Sequence, residues 1–350
     1  MIFRSLLLAL ALTKDFPDPC IIKVGKKWWA FATENGAVHI QIAWSYDFET
    51  WNLLDQDALP SPPPWVNMTN PNTWAPDVNE LEDGTFVMYF SATTIQDSSK
   101  HCIGAAIALF VEGPYIPITT TMACPLSQGG AIDSSGFKDW KKKGSGWGPG
   151  SWNFDIDIAT DVWNLSSWWG GGWGGQRYVV YKIDGNSIGN GNLNGTGNCG
   201  NTIAPIVPTP IILQALLPDG ITPIGPPITL LNNAGLSDSG VIEAPSLIKS
   251  WSGTYFLFFS SGCYDTDTYT VSYATAPSIT GPYTRRGALL KTGDAGSSGA
   301  GVALQSPGGA DVYWDNRHMV FHATTSAAGA QLVRELYVAE ISVQGTTVLI

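Results

Sequence analysis

Three short stretches carry acids in settings that can do chemistry: Asp15-Phe16-Pro17-Asp18-Pro19, Ala131-Ile132-Asp133-Ser134-Ser135-Gly136-Phe137 and Ile242-Glu243-Ala244-Pro245-Ser246. Two carboxylates facing each other across a pocket can cleave a glycosidic bond, one protonating the departing oxygen while the other draws a proton from water. Singly, each acid has a plainer reading. Asp18 fits an Asx-turn, Asp133 a cap on neighbouring backbone, and Glu243 a surface strand. Asp15 competes with Asp18 but lacks a following proline. Together the three stand out because each opens the same run: a strand, a polar or glycine turn, then a second strand rich in aromatic and β-branched residues.

That run is an internal repeat. Asp18-Pro19, Ala75-Pro76 and Ala244-Pro245 each precede a strand, and ten residues after each proline comes an aromatic: Trp29, Phe86 and Tyr255. Two further copies pair Asp133 with Arg177-Tyr178-Val179-Val180-Tyr181, and Ala310 with Met319-Val320-Phe321-His322. A third element also returns. Ala43-Trp44-Ser45-Tyr46-Asp47 leads to Trp51, and Ser272-Tyr273-Ala274 leads to Gly281-Pro282-Tyr283. The five starts, at residues 18, 75, 133, 244 and 310, predict an all-β fold, a five-bladed β-propeller with three or four strands per blade. In that architecture the innermost strands line a central channel, which brings Asp18, Asp133 and Glu243 to one opening.

Composition limits the partners. Lys and Arg number 18 against 29 Asp and Glu, a formal net charge of −11. Nucleic acid and anionic membranes need basic surface, so neither is expected to bind. A neutral, hydroxyl-rich ligand suits this surface better, and 15 Trp, 12 Tyr and 13 Phe supply flat apolar faces for sugars as well as core. With 39 Gly and 23 Pro the chain is turn-rich, which favours strands over helices. Gly189-Asn190-Gly191 does not complete a dinucleotide fingerprint, and a serine hydrolase is not expected.

Residues 1–12 read as a secretory signal, with Arg4 as the basic residue, Ser5 to Leu12 as the apolar core, and Ala9 and Ala11 before a cleavage point. The alternative is a buried first strand. Residues 13–350 then form one propeller domain, extracellular, and the sequons at Asn67, Asn164 and Asn194 agree with export. Among five cysteines there is no Cys-x-x-Cys pair, so zinc is not expected. Cys102 and Cys124 flank a strand and its return and form the expected disulfide; Cys199 with Cys263 is a second pairing, leaving Cys20 a free thiol. A Gly/Trp-rich insertion at about 141–176 interrupts the third repeat. It is either a flap whose tryptophans stack on sugar or sequence foreign to the fold, such as retained non-coding sequence.

With the repeats laid out, the chain resembles glycoside hydrolase family 43, the arabinanase, arabinofuranosidase and β-xylosidase group. The likeness runs from Lys14 to Trp140 and from Gln176 onward. It rests on Phe16-Pro17-Asp18-Pro19, Trp74-Ala75-Pro76-Asp77-Val78, Ile132-Asp133-Ser134-Ser135-Gly136-Phe137 and Glu243-Ala244-Pro245-Ser246. The resemblance implies a secreted, inverting hydrolase in which Asp18 is the general base and Glu243 the general acid. Asp133 would be the third carboxylate, which orients the acid and raises its pKa. It further implies that Trp74 lines the substrate pocket, that Phe31 forms another wall, and that His322, on the inner strand of the last blade, sits beside a structural ion, often calcium. No cofactor is required for the reaction. The implied partners are arabinose- or xylose-containing plant cell-wall polysaccharides or their oligosaccharides, with arabinan and arabinofuranosides favoured over a β-xylosidase activity, and the protein would be a monomer. A carbohydrate-binding propeller without turnover is the competing reading, although binding alone needs no acid, base and modulator.

Overall fold

A strand whose residues are nearly all apolar or small must be covered on both faces, and this sequence supplies five. The computed structural model describes residues 8–140, 175–191, 198–296, 303–324 and 332–350. The chain opens with β1 (Leu8–Asp15). The first blade follows, with β2 (Cys20–Val24), β3 (Lys27–Ala32), β4 (Gln41–Ser45) and β5 (Asn52–Leu53). The second holds β6 (Trp74–Glu80), β7 (Phe86–Thr94), β8 (Asp97–Ala108) and β9 (Ile116–Pro117). The third holds β10 (Ala131–Trp140), β11 (Gly175–Ile183), β12 (Ile211–Leu216) and β13 (Pro223–Leu231). The fourth holds β14 (Ile242–Lys249), β15 (Tyr255–Ser261), β16 (Thr270–Ala276) and β17 (Thr284–Lys291). The fifth holds β18 (Gly308–Val312), β19 (His318–Thr324) and β20 (Arg334–Glu340), with β1 as its outermost strand. Every blade is antiparallel, and the first strands touch in the cyclic order β2, β6, β10, β14, β18 and back to β2. The expected five-bladed propeller is the fold.

The second strands β3, β7, β11, β15 and β19 explain why the blades stack. Their side chains alternate between faces, and each face belongs to a different neighbour. Phe86, Met88 and Phe90 of β7 pack against the first blade, while Val87 and Tyr89 pack against the third. Phe256 and Phe258 of β15 face the fifth blade, and Tyr255, Leu257 and Phe259 face the third. Five apolar clusters fill the five seams between blades. Phe31 belongs to one of them. It is fully buried between the first and second blades, edge-on to Tyr115, so it is core and not a wall of the pocket.

Residues 8–12, read from sequence as part of an export signal, are built into the propeller as most of β1. Leu8 pairs with Ala339, Ala9 with Val338, Leu10 with Tyr337 and Leu12 with Leu336. The apolar run that suggested a signal is the run needed to pack an outer strand, with Ala9, Ala11 and Leu12 half-buried against the seam of the fifth and first blades. Residues 1–7 lie outside the described residues, as do 141–174, which carry nearly all of the Gly/Trp-rich insertion. The hairpin resumes at Gly175 and Gln176, opposite Trp140 and Asp139. Cys102 is joined to Cys124 and Cys199 to Cys263, and Cys20 is a buried free thiol.

A chain begun at Thr13 tests the role of β1. Removing two partly buried leucines should cost roughly 2–4 kcal/mol, read as a lower urea midpoint. An unchanged midpoint would show that the strand is dispensable for closure.

Candidate active site at the mouth of the channel

Four of the five inner strands enter the channel through a break in register. Pairing with the second strand skips between Trp74 and Asp77, Ile132 and Ser135, Glu243 and Ser246, and Gly308 and Asp311. A left-handed residue sits at every break: Ala75 (φ 44°), Asp133 (57°), Ala244 (48°) and Gly309 (57°), with Asp18 (52°) at the matching point just ahead of β2. Such bulges bend a strand and re-aim its side chains. The fifth repeat therefore starts at Gly309, one residue before the start read from sequence. For residues other than glycine the conformation costs of order 1–3 kcal/mol each, so something must hold it.

Hydrogen bonds between blades do so. The backbone N–H of each left-handed residue donates to a side chain of the preceding blade. Ala75 donates to Thr33 Oγ1 at 3.0 Å, Asp133 to Ser91 Oγ at 3.0 Å, and Ala244 to Asp133 Oδ2 at 2.9 Å. Gly309 donates to Ser260 Oγ at 2.9 Å, and Asp18 to His322 Nδ1 at 3.0 Å, which closes the ring. Thr33, Ser91, Ser260 and His322 occupy one matching position, opposite the residue before each break. In the third blade Lys182 holds that position, opposite Ile132. An ammonium cannot accept a hydrogen bond, so the Asp133 carboxylate accepts instead.

The ring brings the three sequence-identified acids to one mouth. Asp18 and Asp133 line the throat, whose cavity of about 40 Å³ suits about one water rather than a sugar, since a water takes ~30 Å³ of liquid. Glu243 precedes Ala244 and stands above the throat. Asp18 Oδ2 accepts from Thr33 Oγ1 at 2.9 Å and faces Arg334 Nη1 at 3.3 Å. Burial works to raise its pKa, but Arg334 above all, with Thr33, outweighs it and holds the carboxyl below its ordinary value. Glu243 accepts from Lys182 Nζ at Oε2 and from the Tyr269 hydroxyl at Oε1, both at 3.0 Å. Lys182 is fully buried, also 3.0 Å from Asp184 Oδ1; burial opposes its charge, yet Asp184 and Glu243 together hold its pKa above the ordinary value. Asp133 is pushed up to about 8, first by burial and then by the charge of Glu243, with Lys182 opposing.

Trp74 sits half-buried at the start of β6 and stacks on His101, ring centroids 3.8 Å apart. Burial pushes His101 down to about 4, so at neutral pH the stacked pair is uncharged. His322 lies on β19, the second strand of its blade, not on the inner strand as read from sequence. Its ring stacks on Tyr269, and burial pushes it down to about 3. With Nδ1 accepting from Asp18, the neutral ring carries its proton on Nε2, which is buried without a hydrogen-bond partner among the described residues. A protonated nitrogen has no lone pair for an ion, and calcium takes mostly oxygen ligands. His322 therefore does not fit as a direct calcium ligand. Among the described residues the one cluster of three metal-capable side chains is Cys199, Cys263 and Asp265, and its two cysteines are already joined to each other.

Sequence reasoning missed Lys182, Tyr269, Arg334 and Thr33. Lys182 left a trace, a lone charge closing the apolar run Tyr178-Val179-Val180-Tyr181; the other three left none. Gly185-Asn186-Ser187-Ile188-Gly189 spells the Gly-x-Ser-x-Gly of a nucleophile elbow, but Ser187 sits in a short 3₁₀ turn and its hydroxyl donates to Gly129 O at 2.7 Å.

Comparison with known proteins places this mouth in context. The family model for glycosyl hydrolases family 43 matches residues 11–149. An extracellular endo-α-(1→5)-L-arabinanase of Thermotoga petrophila is 29% identical over 185 residues, which cover 49% of this chain and 36% of that one. This chain thus spans little more than a third of that relative. A probable arabinan endo-1,5-α-L-arabinosidase C of Aspergillus flavus is 26% identical over 309 residues, 85% of this chain and 78% of its own. The crystal structure of a thermostable family-43 glycoside hydrolase superposes with a TM-score of 0.67 at 20% identity, covering 99% of this chain and 95% of that one. At that identity it speaks for the fold.

The raised Asp133 pKa has a consequence for stability. Between the unfolded value near 3.8 and about 8 the folded state keeps a proton that the unfolded chain releases, so stability falls as pH rises across that window. Asp133→Asn cannot ionise. Its urea midpoint should exceed that of the wild type at pH 8.5 and lose that advantage at pH 4.5. Parallel pH dependences in the two proteins would remove Asp133 as the group responsible.

Proposed function

From the match of residues 11–149 to the glycosyl hydrolases of family 43 and the likeness to arabinanases, we propose that this chain is a hydrolase of that family, extracellular and inverting, acting on arabinan and related arabinofuranosides. The observation that carries the reading is the opposed protonation of carboxyls at one mouth. Asp18 is held ionised by Arg334, whereas burial and the charge of Glu243 keep a proton on Asp133. Pairs of acids driven apart in this way mark the base and the acid of a hydrolytic reaction. Asp18 takes a proton from water as that water attacks the anomeric carbon. Glu243 delivers its proton to the departing glycosidic oxygen. Asp133 keeps the proton in reserve beside Glu243, while Lys182 and Tyr269 fix the Glu243 carboxyl through one bond to each oxygen. Trp74, stacked on His101, offers a flat wall for the sugar.

The choice of an arabinan substrate follows the names of the relatives, which are arabinanases. The names also support an extracellular site, and two disulfides agree with an oxidising compartment. No helix among the described residues is long and apolar enough to cross a membrane.

Reducing-sugar release from debranched arabinan, arabinoxylan and the nitrophenyl arabinofuranoside and xyloside tests the reading. Arabinan should be cleaved, with turnover reduced roughly 10²–10⁴-fold in Glu243→Gln and in Asp18→Asn. Proton NMR of the first product should show the inverted anomer, and a retained anomer would sink the mechanism. Preferred turnover of the xyloside would make the protein a β-xylosidase. No turnover by the folded wild type would leave a binding propeller. The pH profile follows from the two shifts: Asp18 must be ionised and Asp133 protonated. The plateau of kcat/KM should therefore extend at its acid end below the ordinary carboxylate range and fall as pH rises through about 8.

A further inference from the structure

The far mouth of the propeller carries a feature that the chemistry at the near mouth does not use. Trp251, in the hairpin between β14 and β15, is 68% exposed; Trp314, in the hairpin between β18 and β19, is 56% exposed. Their ring centroids lie 6.4 Å apart at an interplanar angle of 81°. Trp251 borders a cavity of about 540 Å³, inside the range of ~300–1,000 Å³ for small-molecule sites. Its lining includes hydrogen-bonding residues, among them Ser250, Asp315, Asn316, Arg317 and Glu340. Arg317 Nη2 and Glu340 Oε1 form an open pair at 2.8 Å, and the buried Asn316 Oδ1 has no donor among the described residues. Trp251 lies just past the far end of β14, whose last residue, Lys249, is six residues beyond Glu243, roughly 20 Å at strand spacing.

We infer that this corner is a second, non-catalytic binding site for a pentose polysaccharide chain. The inference rests on the hydrolytic reading above for its choice of polymer. A sugar ring offers a C–H face to an indole and hydroxyls at its edge to amide, carboxylate and guanidinium groups. Successive rings of a flexible chain turn about each glycosidic bond, so a chain can lie on two indoles set at right angles, which a single flat aromatic ligand cannot. Nucleic acid is disfavoured by the net charge of −11. A stable protein partner would bury about 800 Å² of surface per side around an apolar core, whereas the aliphatic wall here is Ile341, which is buried, and Val343, which is half-buried. Holding the polymer at the far face raises its local concentration at the near one.

Affinity electrophoresis of the full chain in gels containing debranched arabinan or arabinoxylan provides the test, in a Glu243→Gln background so that the polymer persists. Retardation should weaken at least fivefold in Trp251→Ala/Trp314→Ala and be largely kept in the double Phe variant. In the active background the alanine pair should raise KM for polymeric arabinan while kcat and KM on the nitrophenyl glycoside stay unchanged. Retardation that is unaltered by the alanine pair, or absent in the parent, overturns the site. So does an equal loss on polymer and nitrophenyl glycoside, which would report a structural effect. Tryptophan-dependent retardation in a protein that hydrolyses nothing would keep the site and overturn the hydrolytic reading.

Discussion

Five backbone N–H groups at one end of the channel each need an acceptor, and the architecture of the mouth follows from how they obtain it. Every inner strand turns into the channel through a left-handed residue, a conformation that four of the five positions adopt with a side chain. A hydrogen bond from the preceding blade holds each one. Thr33, Ser91, Ser260 and His322 serve as acceptors from the neighbouring second strands. Because each bond joins two blades, the set also fixes the relative height of all five. Gly309 shows how tight the fit is: a Cβ there would lie 2.7 Å from the His322 ring and 3.1 Å from Asp18 Oδ1.

Chemistry enters where this pattern is broken. In the third blade the acceptor position holds Lys182, which cannot accept, and two things follow. The ammonium is free to bind Glu243 and Asp184, and the Asp133 carboxylate is recruited to hold Ala244. Asp133 is thereby held near Glu243 in a buried setting, and burial together with that charge pushes the Asp133 carboxyl up. On the other side Asp18 meets a guanidinium and a hydroxyl, and its charge is stabilised. One substitution in a repeated scaffold thus produces the asymmetry between two kinds of carboxyl. Deeper in the throat the same logic is purely structural. Asp77 and Asp311 accept backbone N–H groups of Gly136 and Ile21 on the next blades.

Much of this was legible in the sequence. The aromatic second strands and the recurring Asp-Pro and Ala-Pro steps gave the blade count, and the prolines were informative because the residue after a bulge donates nothing to the ladder. The acids Asp18, Asp133 and Glu243 were found for the same reason. What escaped was anything set by contact between blades. Phe31 was read as a pocket wall, yet strand alternation turns it into a seam. Arg334 and Thr33 are remote in sequence from the groups they serve. His322 was noticed, but its strand was misassigned and its ring is occupied as an acceptor. An apolar stretch such as residues 8–12 looks the same in sequence whether it is exported or packed as an outer strand, and here it forms most of β1.

The position of β1 gives Asp18 a second significance. The strand that zips the last blade shut is followed within three residues by the aspartate, and Phe16 N–H donates to Arg334 O while Arg334 N–H donates to Asp15 Oδ1. Arg334 is both the first residue of the partner strand and the cation beside Asp18. The seam between the two chain ends and the electrostatic setting of Asp18 are the same piece of structure. Fraying at that seam would strip the aspartate of its counter-charge before any other blade came apart, so the state of this carboxyl is a gauge of whether the circle is whole.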